Sequence, residues 1–369
     1  MKVFVSAGET SGDRLGASLV REIARRRPDI GFFGMGGPRM AEAGVSIVAD
    51  SASVAVVGLF EVLAKLPAVW RTARRLERAA AREGPAAAIL IDFPDFHLRL
   101  GKRLARRGIP VVYYVSPQVW AWRAGRVNAM KAFVRRMITL FPFETEIYRR
   151  AGIDAVCAGH PIADEVEERL RADPPVPRRP GRRRIAVMPG SRAEEVRRHW
   201  PILRDAALRL AAERPADVVV VPAPGVPDAL FPGAAESGIA FHRGDPEPLL
   251  AASDVLLVSS GTSTLQGALC GVPMVVVYRT SAATMALARR LVRTPHIALA
   301  NIVAGERVVP ELVQEEATVD RVCREAARYL DSPEEADAVR RRWEALRRNL
   351  GPRGAAARAA EAVLEVLPA

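Results

Sequence analysis

Short apolar runs alternate with longer amphipathic stretches along the chain. The run "KVFVSAG" precedes a predicted helix from about Asp13 to Arg26, in which leucine and isoleucine recur on one face. The run "AAAILID" precedes a second predicted helix from about Leu98 to Arg107, and strand-like "VVYYVSP" follows. Repeated strand–helix–strand order predicts parallel sheets with crossover helices.

The same alternation restarts after "RADPPVPRRPGRRR", residues 171–184. Four prolines and no apolar periodicity are typical of a linker. The strand-like runs beyond it are "RIAVMPGS", "ADVVVVPAPG", "DVLLVSSG" and "VPMVVVYR". We therefore predict an α/β fold with two doubly wound Rossmann-like domains, residues 1–170 and 185–335, facing a central cleft. A helical tail, residues 336–369, is predicted to pack back on the first domain.

Composition narrows the class of protein. Hydrophobic residues make up 49% of the 369 residues, which is enough for two packed cores. Three scattered cysteines argue against a disulfide framework and fit a reducing cytoplasm. No apolar run of about 20 residues predicts a membrane-spanning helix, and the first residues reach Gly8 and Glu9 too soon for a signal peptide. No spacing of histidines and cysteines indicates a metal site.

The formal net charge is +12, which favours nucleic acid, anionic membrane or phosphorylated substrates as partners. Composition leaves these three open, and the preference for arginine over lysine could reflect only a GC-rich genome. The apolar stretch from Ala55 to Trp70 is interrupted by Glu61 and Lys65. It could form a core helix, an acyl-chain pocket, or an interfacial helix whose following arginines face lipid headgroups.

A turn in the first half, "SAGETSGD", follows the first strand. Gly8 and Gly12 would let the backbone approach a ligand closely, and the next helix would offer free N–H groups to an anion. The alternative is structural, because Asp13 could simply cap the helix.

A second turn, "DFPDFH", carries two acids after a buried strand. Pro94 favours an extended conformation of Phe93, which would keep Asp92 and Asp95 off a helix. Asp92 lies next to the strand and would shape the turn by accepting backbone N–H bonds. Asp95 lies further out, and spacing alone leaves it either structural or a general base aimed at a substrate hydroxyl.

Two turns in the second half are typical of phosphate binding. In "MPGSRAEEV", Gly190 and Ser191 suit a tight turn and Arg192 could pair with phosphate oxygens in bidentate fashion. In "SSGTSTLQGALCGVP", hydroxyls and N–H groups at a helix start could cradle a diphosphate without a metal. The alternative for the second turn is an ordinary cluster of helix-capping residues.

Ten stretches occur in one order between residue 5 and about residue 315. They are "SAGETSGD", "GMGGPRM", "VVGLFEVL", "DFPDFHLRL", "YYVSPQVWAWRAGR", "FPFE", "GHPIADE", "MPGSRAEEV", "SSGTSTL" and "ANIVAGERVVPELVQ". Together they resemble one family, the lipid-A-disaccharide synthases. The resemblance implies an inverting glycosyltransferase of the GT-B type, with two Rossmann-like domains.

The resemblance also implies the reaction. UDP-2,3-diacylglucosamine would donate its sugar to the 6-hydroxyl of 2,3-diacylglucosamine 1-phosphate, giving the β-1,6-linked lipid A disaccharide 1-phosphate and UDP. Neither a cofactor nor a metal would be needed. The enzyme would be cytoplasmic and bound peripherally to the anionic surface of the inner membrane, with no nucleic-acid partner.

Site residues follow from the same resemblance. Asp95 would be the base, and Asp92 would shape its turn. The acceptor side would comprise Glu9, Ser11 and Gly12. The donor side, which binds UDP, would comprise Ser191, Arg192, Ser260, Gly261, Thr262, Ser263, Gln266, Asn301 and Glu306. Contact with acyl chains and membrane would involve Phe60, Leu63 and Leu66.

Some positions depart from the family pattern, among them Thr10, Gln118 and Ala300. Gln266 stands where the family usually has a glutamate that accepts hydrogen bonds from ribose, so it bears on nucleotide affinity. One alternative is another GT-B enzyme that uses a UDP-sugar, either a peptidoglycan-type N-acetylglucosaminyltransferase or a sugar epimerase. A basic nucleic-acid-binding protein is a second alternative, although aromatics are only 6% and the arginines are spread along the chain.

Overall fold

The computed structural model describes residues 1–53, 59–117, 119, 125–171, 179–291, 294–350 and 353–368, without the side chains of 59–66, 283, 287–289 and 291. The chain divides into two compact units. The first unit comprises Met1–Pro161 with Gly351–Ala369, and the second comprises Ile162–Leu350.

A sheet of seven parallel strands forms the centre of the first unit. The strands are β1 (Lys2–Ala7), β2 (Gly31–Gly36), β3 (Val45–Asp50), β4 (Ala87–Ile91), β5 (Val111–Tyr114), β6 (Val134–Thr139) and β7 (Ala155–Cys157). The helices are α1 (Thr10–Arg26), α2 (Pro38–Glu42), α3 (Leu59–Glu83), α4 (Pro94–Ala105), α5 (Arg126–Lys131) and α6 (Pro142–Arg150). Both β4 and β5 are buried along their whole length, as expected for parallel strands covered by helices.

The strand order in this sheet is β3-β2-β1-β4-β5-β6-β7. Ala7 at the end of β1 lies opposite Ile91 at the end of β4. The order therefore reverses between these two strands, and the turns that follow them lie side by side. In open α/β sheets such a switch point is where ligands bind.

The second unit has a sheet of six parallel strands. They are β8 (Arg183–Met188), β9 (Ala216–Val220), β10 (Ala240–Phe241), β11 (Val255–Ser259), β12 (Met274–Tyr278) and β13 (Glu311–Val313). The helices are α7 (Ile162–Leu170), α8 (Ala193–Glu213), α9 (Pro246–Ala251), α10 (Thr262–Leu269), α11 (Ala282–Leu291), α12 (Leu299–Ala304), α13 (Val319–Asp331) and α14 (Pro333–Asn349). The order β10-β9-β8-β11-β12-β13 places the switch point between β8 and β11.

The predicted domain limits differ from the observed ones at two places. The helix α7 packs against α9 and α10, so the first unit ends at Pro161 and not at residue 170. The predicted tail is divided: Trp343 of α14 donates its indole N–H to the Val272 carbonyl at 3.2 Å within the second unit. Residues 172–178 of the predicted linker lie outside the described residues, and the rest of it includes the start of β8.

The last helix, α15 (Ala355–Leu364), belongs to the first unit, where it packs against α1. Arg358 donates from Nε to the Ala158 carbonyl at 2.9 Å, and Arg136 pairs with Glu365 beyond the helix. This final part of the tail therefore belongs to the first unit. No helix in the described part of the chain is both long and apolar enough to span a bilayer.

Candidate active site at the two switch points

The turn after β4 has a strained backbone. Asp92 and Phe93 both adopt left-handed conformations, with φ of 49° and 50°. The helix α4 begins at Pro94, so Asp95 lies in its first turn. The prediction of an extended Phe93 and of Asp95 kept off a helix is therefore wrong, whereas Asp92 does lie outside the helix. Proline disfavours only the right-handed conformation in the residue before it, and it is well tolerated as the first helical residue, where its missing N–H has no intrahelical partner.

Three buried side chains hold this turn in place. The carbonyl oxygen of Asp92 lies 2.7 Å from Nδ1 of His97 and accepts the Tyr113 hydroxyl at 2.8 Å. Burial lowers the pKa of His97 to about 4, so the ring is neutral. Because a carbonyl only accepts, Nδ1 carries the proton, and Nε2 accepts from the Ser6 hydroxyl at 2.8 Å. These contacts offset strain of about 1–3 kcal/mol per left-handed residue.

The carboxyl of Asp92 itself is perturbed. Burial, and then the charge of nearby Glu9, raise its pKa to about 6. Glu9 lies on the neighbouring turn, which the pairing of β1 with β4 brings alongside. At Gly8 a Cβ atom would lie 2.2 Å from the Phe93 ring, so only glycine fits beneath that ring. The two turns are thus packed into one unit around the switch point.

Asp95 differs from Asp92 in exposure. Its side chain is 74% exposed and pairs with Arg126, whose own side chain is 12% exposed. An acid in the first turn of a helix is stabilised by the N–H groups there. Asp95 is therefore the more exposed carboxylate of this turn, whereas the backbone carbonyl of Asp92 is held by His97 and Tyr113. No local sequence signal identifies Arg126 as the partner of Asp95, because the two residues are 31 positions apart.

The turn after β1 contains the predicted acceptor-side residues. Glu9 and Ser11 are exposed at the start of α1, whereas Gly12 is buried against Ala7. Asp13 is buried and accepts from the backbone N–H groups of residues 37, 39 and 40 at 2.7–3.1 Å. Asp13 therefore caps α2, and not the helix in which it lies.

The turn after β8 differs from a simple phosphate-binding loop. Gly190 has φ of 139°, and Glu195 folds back so that its Oε2 accepts from the N–H groups of Ser191 at 3.0 Å and Arg192 at 3.3 Å. Those N–H groups are therefore occupied. The Arg192 side chain is 74% exposed and lies 3.3 Å from Oε1 of Glu195. The sequence signal for this cap is a glutamate at the N3 position of a helix.

The turn after β11 is open. Gly261 has φ of 155°, a conformation that favours glycine, and both Gly261 and Thr262 are exposed. No side chain within the described residues caps α10, so the N–H groups of Thr262 and Ser263 lack an intrahelical partner, whereas that of Thr264 donates to the Gly261 carbonyl at 3.1 Å. Ser260 and Ser263 donate their hydroxyl protons to the backbone carbonyls of Ile297, at 2.7 Å, and of Ser259, at 3.3 Å. The N–H groups, and not those two hydroxyls, are the donors free for an anion.

Asn301 was predicted to lie among the residues that bind UDP, and the structure gives its side chain another role. Its side chain is fully buried and its four hydrogen-bonding positions are filled. Its oxygen accepts from the N–H groups of Val308 and Val309, and its nitrogen donates to the Val309 carbonyl and to Glu311 at 2.9 Å. Asn301 therefore holds the loop before β13 and has no group left for direct contact with a nucleotide.

The other predicted donor residues have polar partners in the second unit. Glu306 is half-exposed and pairs with Arg342. Gln266 donates from Nε2 to the buried carboxylate of Glu247 at 2.7 Å, a residue that the sequence analysis missed. Within the described residues no group of three acidic, histidine or cysteine side chains is placed to hold a metal ion.

The predicted membrane contacts, Phe60, Leu63 and Leu66, fall in the part of α3 whose side chains lie outside the described residues. The backbone of α3 begins at Leu59 and includes Pro67. That prediction therefore stays a prediction.

Solved structures identify the class of fold. A calicheamicin glycosyltransferase is 17% identical, with a TM-score of 0.63 over 99% of this chain and 98% of that one. At this identity the likeness concerns the fold alone, two Rossmann-like domains of the GT-B type.

Sequence comparison identifies the family. The family model described as lipid-A-disaccharide synthetase matches residues 3–365. The lipid-A-disaccharide synthase of Geobacter sulfurreducens is 42% identical over 373 residues, covering 99% of this chain and 97% of the relative. That of Myxococcus xanthus is 42% identical over 381 residues, covering 100% and 98%. The chain belongs to the lipid-A-disaccharide synthetase family, and it is a glycosyltransferase with a UDP-sugar donor and a lipid acceptor.

Proposed function

We propose that the chain transfers 2,3-diacylglucosamine from UDP-2,3-diacylglucosamine to the 6-hydroxyl of 2,3-diacylglucosamine 1-phosphate, with inversion. The products are the β-1,6-linked disaccharide 1-phosphate and UDP. The observation that carries this proposal is an exposed carboxylate, Asp95, on a strained turn at a switch point, in a chain of this family.

Asp95 acts as the general base. It takes the proton from the acceptor 6-hydroxyl while that oxygen attacks the anomeric carbon of the donor. The bond from that carbon to the diphosphate oxygen breaks, and UDP leaves with the electron pair. The guanidinium of Arg126 holds the carboxylate in place, and the network of Ser6, His97 and Tyr113 fixes the turn that carries it. Such positioning is part of what makes a general base effective.

UDP binds to the second unit at the turns after β8 and β11. The open N-terminus of α10 supplies N–H groups and a partial positive charge for the diphosphate. The exposed guanidinium of Arg192 supplies a full positive charge on the neighbouring turn. These groups neutralise the leaving diphosphate, and we propose that transfer is independent of metal ions.

The decisive experiment incubates the protein with both lipid substrates and analyses the products by mass spectrometry, with the anomeric configuration read by NMR. We expect a β-linked disaccharide 1-phosphate and UDP in equal amounts, unchanged by EDTA. Absence of the disaccharide, with transfer to a peptidoglycan precursor or epimerisation of UDP-N-acetylglucosamine instead, would contradict the proposal. A requirement for magnesium or manganese would contradict its metal-independent part alone.

We also propose that the protein binds peripherally to the cytoplasmic leaflet of the inner membrane. Support comes from an arginine surface formed by α3 and α4. One groove there, of about 660 Å³, is lined mainly by Arg71, Arg74, Arg75, Arg78 and Arg82. The side of α3 that carries Leu76, Ala79 and Ala80 is buried in the core, so the arginines lie on the opposite, exposed side.

A second groove of this arginine surface, of about 480 Å³, surrounds Trp70. Trp70 is 48% exposed, and the guanidinium carbons of Arg74 and Arg103 lie 4.9 and 5.1 Å from its ring centre. An exposed tryptophan among arginines is typical of a membrane interface, where the ring contacts lipid and the cations contact phosphate. Sedimentation with anionic vesicles but no shift of labelled DNA at physiological salt is expected. The reverse result would favour nucleic acid as the partner.

A further inference from the structure

Glu247 is a buried carboxylate in the second unit with no part in the reaction proposed above. It lies in the first turn of α9, and its side chain is 1% exposed. Its Oε1 accepts from Nη1 of Arg169 at 2.9 Å and from Nε2 of Gln266 at 2.7 Å. Its Oε2 is also buried and has no hydrogen-bond partner in the described part of the chain. Such an unsatisfied oxygen is costly, so packing alone is a poor explanation for this acid.

Gln266 connects Glu247 to the surface. It lies on α10 four residues after Thr262, the first and exposed residue of that helix. Residues four apart share a helix face, so Gln266 lies one turn below the open N–H groups. Its side chain is only partly buried, and its Nε2 is committed to Glu247. The amide orientation is thereby fixed, and the amide oxygen remains to accept a hydrogen bond from a ligand.

We propose that Glu247 is a positioning residue, which orients the Gln266 amide so that its oxygen accepts a hydrogen bond from a sugar hydroxyl of the donor nucleotide. This inference rests on the proposed function, because it assumes a diphosphate at the start of α10. The ribose of a nucleoside diphosphate bound there carries hydroxyl donors within about one helical turn of the phosphates. The amide oxygen of Gln266 can accept a hydrogen bond from such a hydroxyl.

Positions 247 and 266 fit together because one carries a charged carboxylate and the other a neutral amide. Gln266 Nε2 and Glu247 Oε1 are 2.7 Å apart. A glutamate at position 266 would bring two carboxylates to this spacing, where they would repel each other while both are ionised, and one of them would bind a proton more readily than an isolated acid. Arg169 offers one positive charge, which is also shared with Asp245 at 3.3 Å. Exchanging the two side chains, in contrast, would keep one acid, one amide and the hydrogen bond between them.

The test is calorimetric titration of UDP at about pH 8 into the parent, Q266E, E247Q and the double variant E247Q/Q266E. We expect Q266E to weaken UDP binding about tenfold or more and to recover part of that loss near pH 6, where one carboxyl is protonated. The double variant should bind within about threefold of the parent. E247Q alone keeps an oxygen that accepts from Gln266, so the UDP affinity of this variant should fall only a few-fold.

Glu334→Gln, an exposed acid at the start of α14, is the matched control and should change nothing. A purely structural role for Glu247 would lower the melting temperature of the variants while leaving the UDP affinity of the folded protein unchanged, which would overturn the inference. Equal affinity of Q266E and the parent, or a double variant no better than Q266E, would overturn it too. Failure of the parent to bind UDP would overturn both this inference and the proposed donor site.

Discussion

The turns after β4 and after β11 both follow strands at the switch points. They differ in which residue types adopt unusual backbone conformations. In the first unit non-glycine residues take left-handed conformations, at Asp92 and Phe93 and at Val115 after the next strand. In the turn after β11 the unusual conformation falls on a glycine, Gly261, although Gln314 beyond β13 is a left-handed non-glycine residue of the same unit. Strain in non-glycine residues persists only where surrounding contacts over-determine it, whereas glycine needs no such support.

Burial shows the same contrast. The turn after β4 is backed by Ser6, His97 and Tyr113, all buried, and burial shifts the pKa values of His97 downward and of Tyr113 upward. The turn after β11 has exposed residues and uncapped N–H groups. A residue that moves a proton must be held in one geometry, whereas a diphosphate needs open donors. The comparison therefore supports the proposal that proton transfer belongs to the first unit and phosphate binding to the second.

The largest expected effect is on turnover. Asp95→Asn should lower turnover by at least about a hundredfold, the usual range for a lost general base. The fold should survive, because the side chain is exposed. Initial rates with both lipid substrates measure this, and Glu146→Gln, an exposed acid on α6, is the control. Near-normal turnover in a well-folded Asp95→Asn variant would remove Asp95 as the base.

The next effect is on donor affinity. Arg192→Ala should weaken UDP binding about tenfold or more, since a hydrogen bond to a charged group contributes about 1.5–3 kcal/mol. Arg197→Ala is the matched control, because Arg197 lies on the same helix and pairs with Glu194. Calorimetry with UDP distinguishes the two variants. If Arg192→Ala binds UDP as the parent does, the phosphate lies elsewhere.

A smaller effect is expected on vesicle binding, where the salt dependence distinguishes apolar from charged contacts of α3. The double variant Phe60→Ser/Leu63→Ser should weaken vesicle binding roughly fivefold even at about 0.5 M salt, since apolar burial is not screened. Arg74→Gln/Arg78→Gln should weaken binding only at low salt. Sedimentation with anionic vesicles at two salt concentrations measures both. A well-folded serine variant with unchanged binding and activity would show that the apolar stretch is only core.

The smallest effect is on stability. The pKa of Asp92 in the folded protein is about 6, above its ordinary value of 3.8. The folded state therefore binds this proton more tightly than the unfolded state, and the unfolding free energy falls as pH rises from about 4 to about 6. Asp92→Asn cannot titrate, and the fall in unfolding free energy across that range should shrink by on the order of 1 kcal/mol. Urea unfolding at a series of pH values measures this. An unchanged pH profile would mean that Asp92 is not the perturbed acid.

Much of the fold was predictable because apolar runs and turn residues are local signals. The two α/β units and the motif-bearing turns at strand ends follow from alternation alone. The division of the helical tail did not, because α14 and α15 have similar helical patterns, and their partners, Val272 and Ala158, are remote in sequence. The limit at Pro161 was missed for the same reason, since α7 is assigned by its packing on α9 and α10.

Candidate site residues could be proposed from the sequence where the chemistry would be carried by residues close together in the chain. Asp95, Arg192 and the glycine of the turn after β11 could be singled out from their motifs. Long-range partners could not: Arg126 beside Asp95, and Glu247 beside Gln266, become visible only after folding. Asn301 shows the converse error, because a polar residue in a motif turned out to be fully engaged by the backbone and Glu311.

The division of labour between the two switch points is tested most directly by titrating UDP into Asp95→Asn. Loss of a base in the first unit should leave the phosphate site of the second unit intact. We therefore expect the UDP dissociation constant of Asp95→Asn to stay within about twofold of the parent value although turnover is lost. A fall in UDP affinity as large as that expected for Arg192→Ala would contradict the assignment of proton transfer and phosphate binding to separate units.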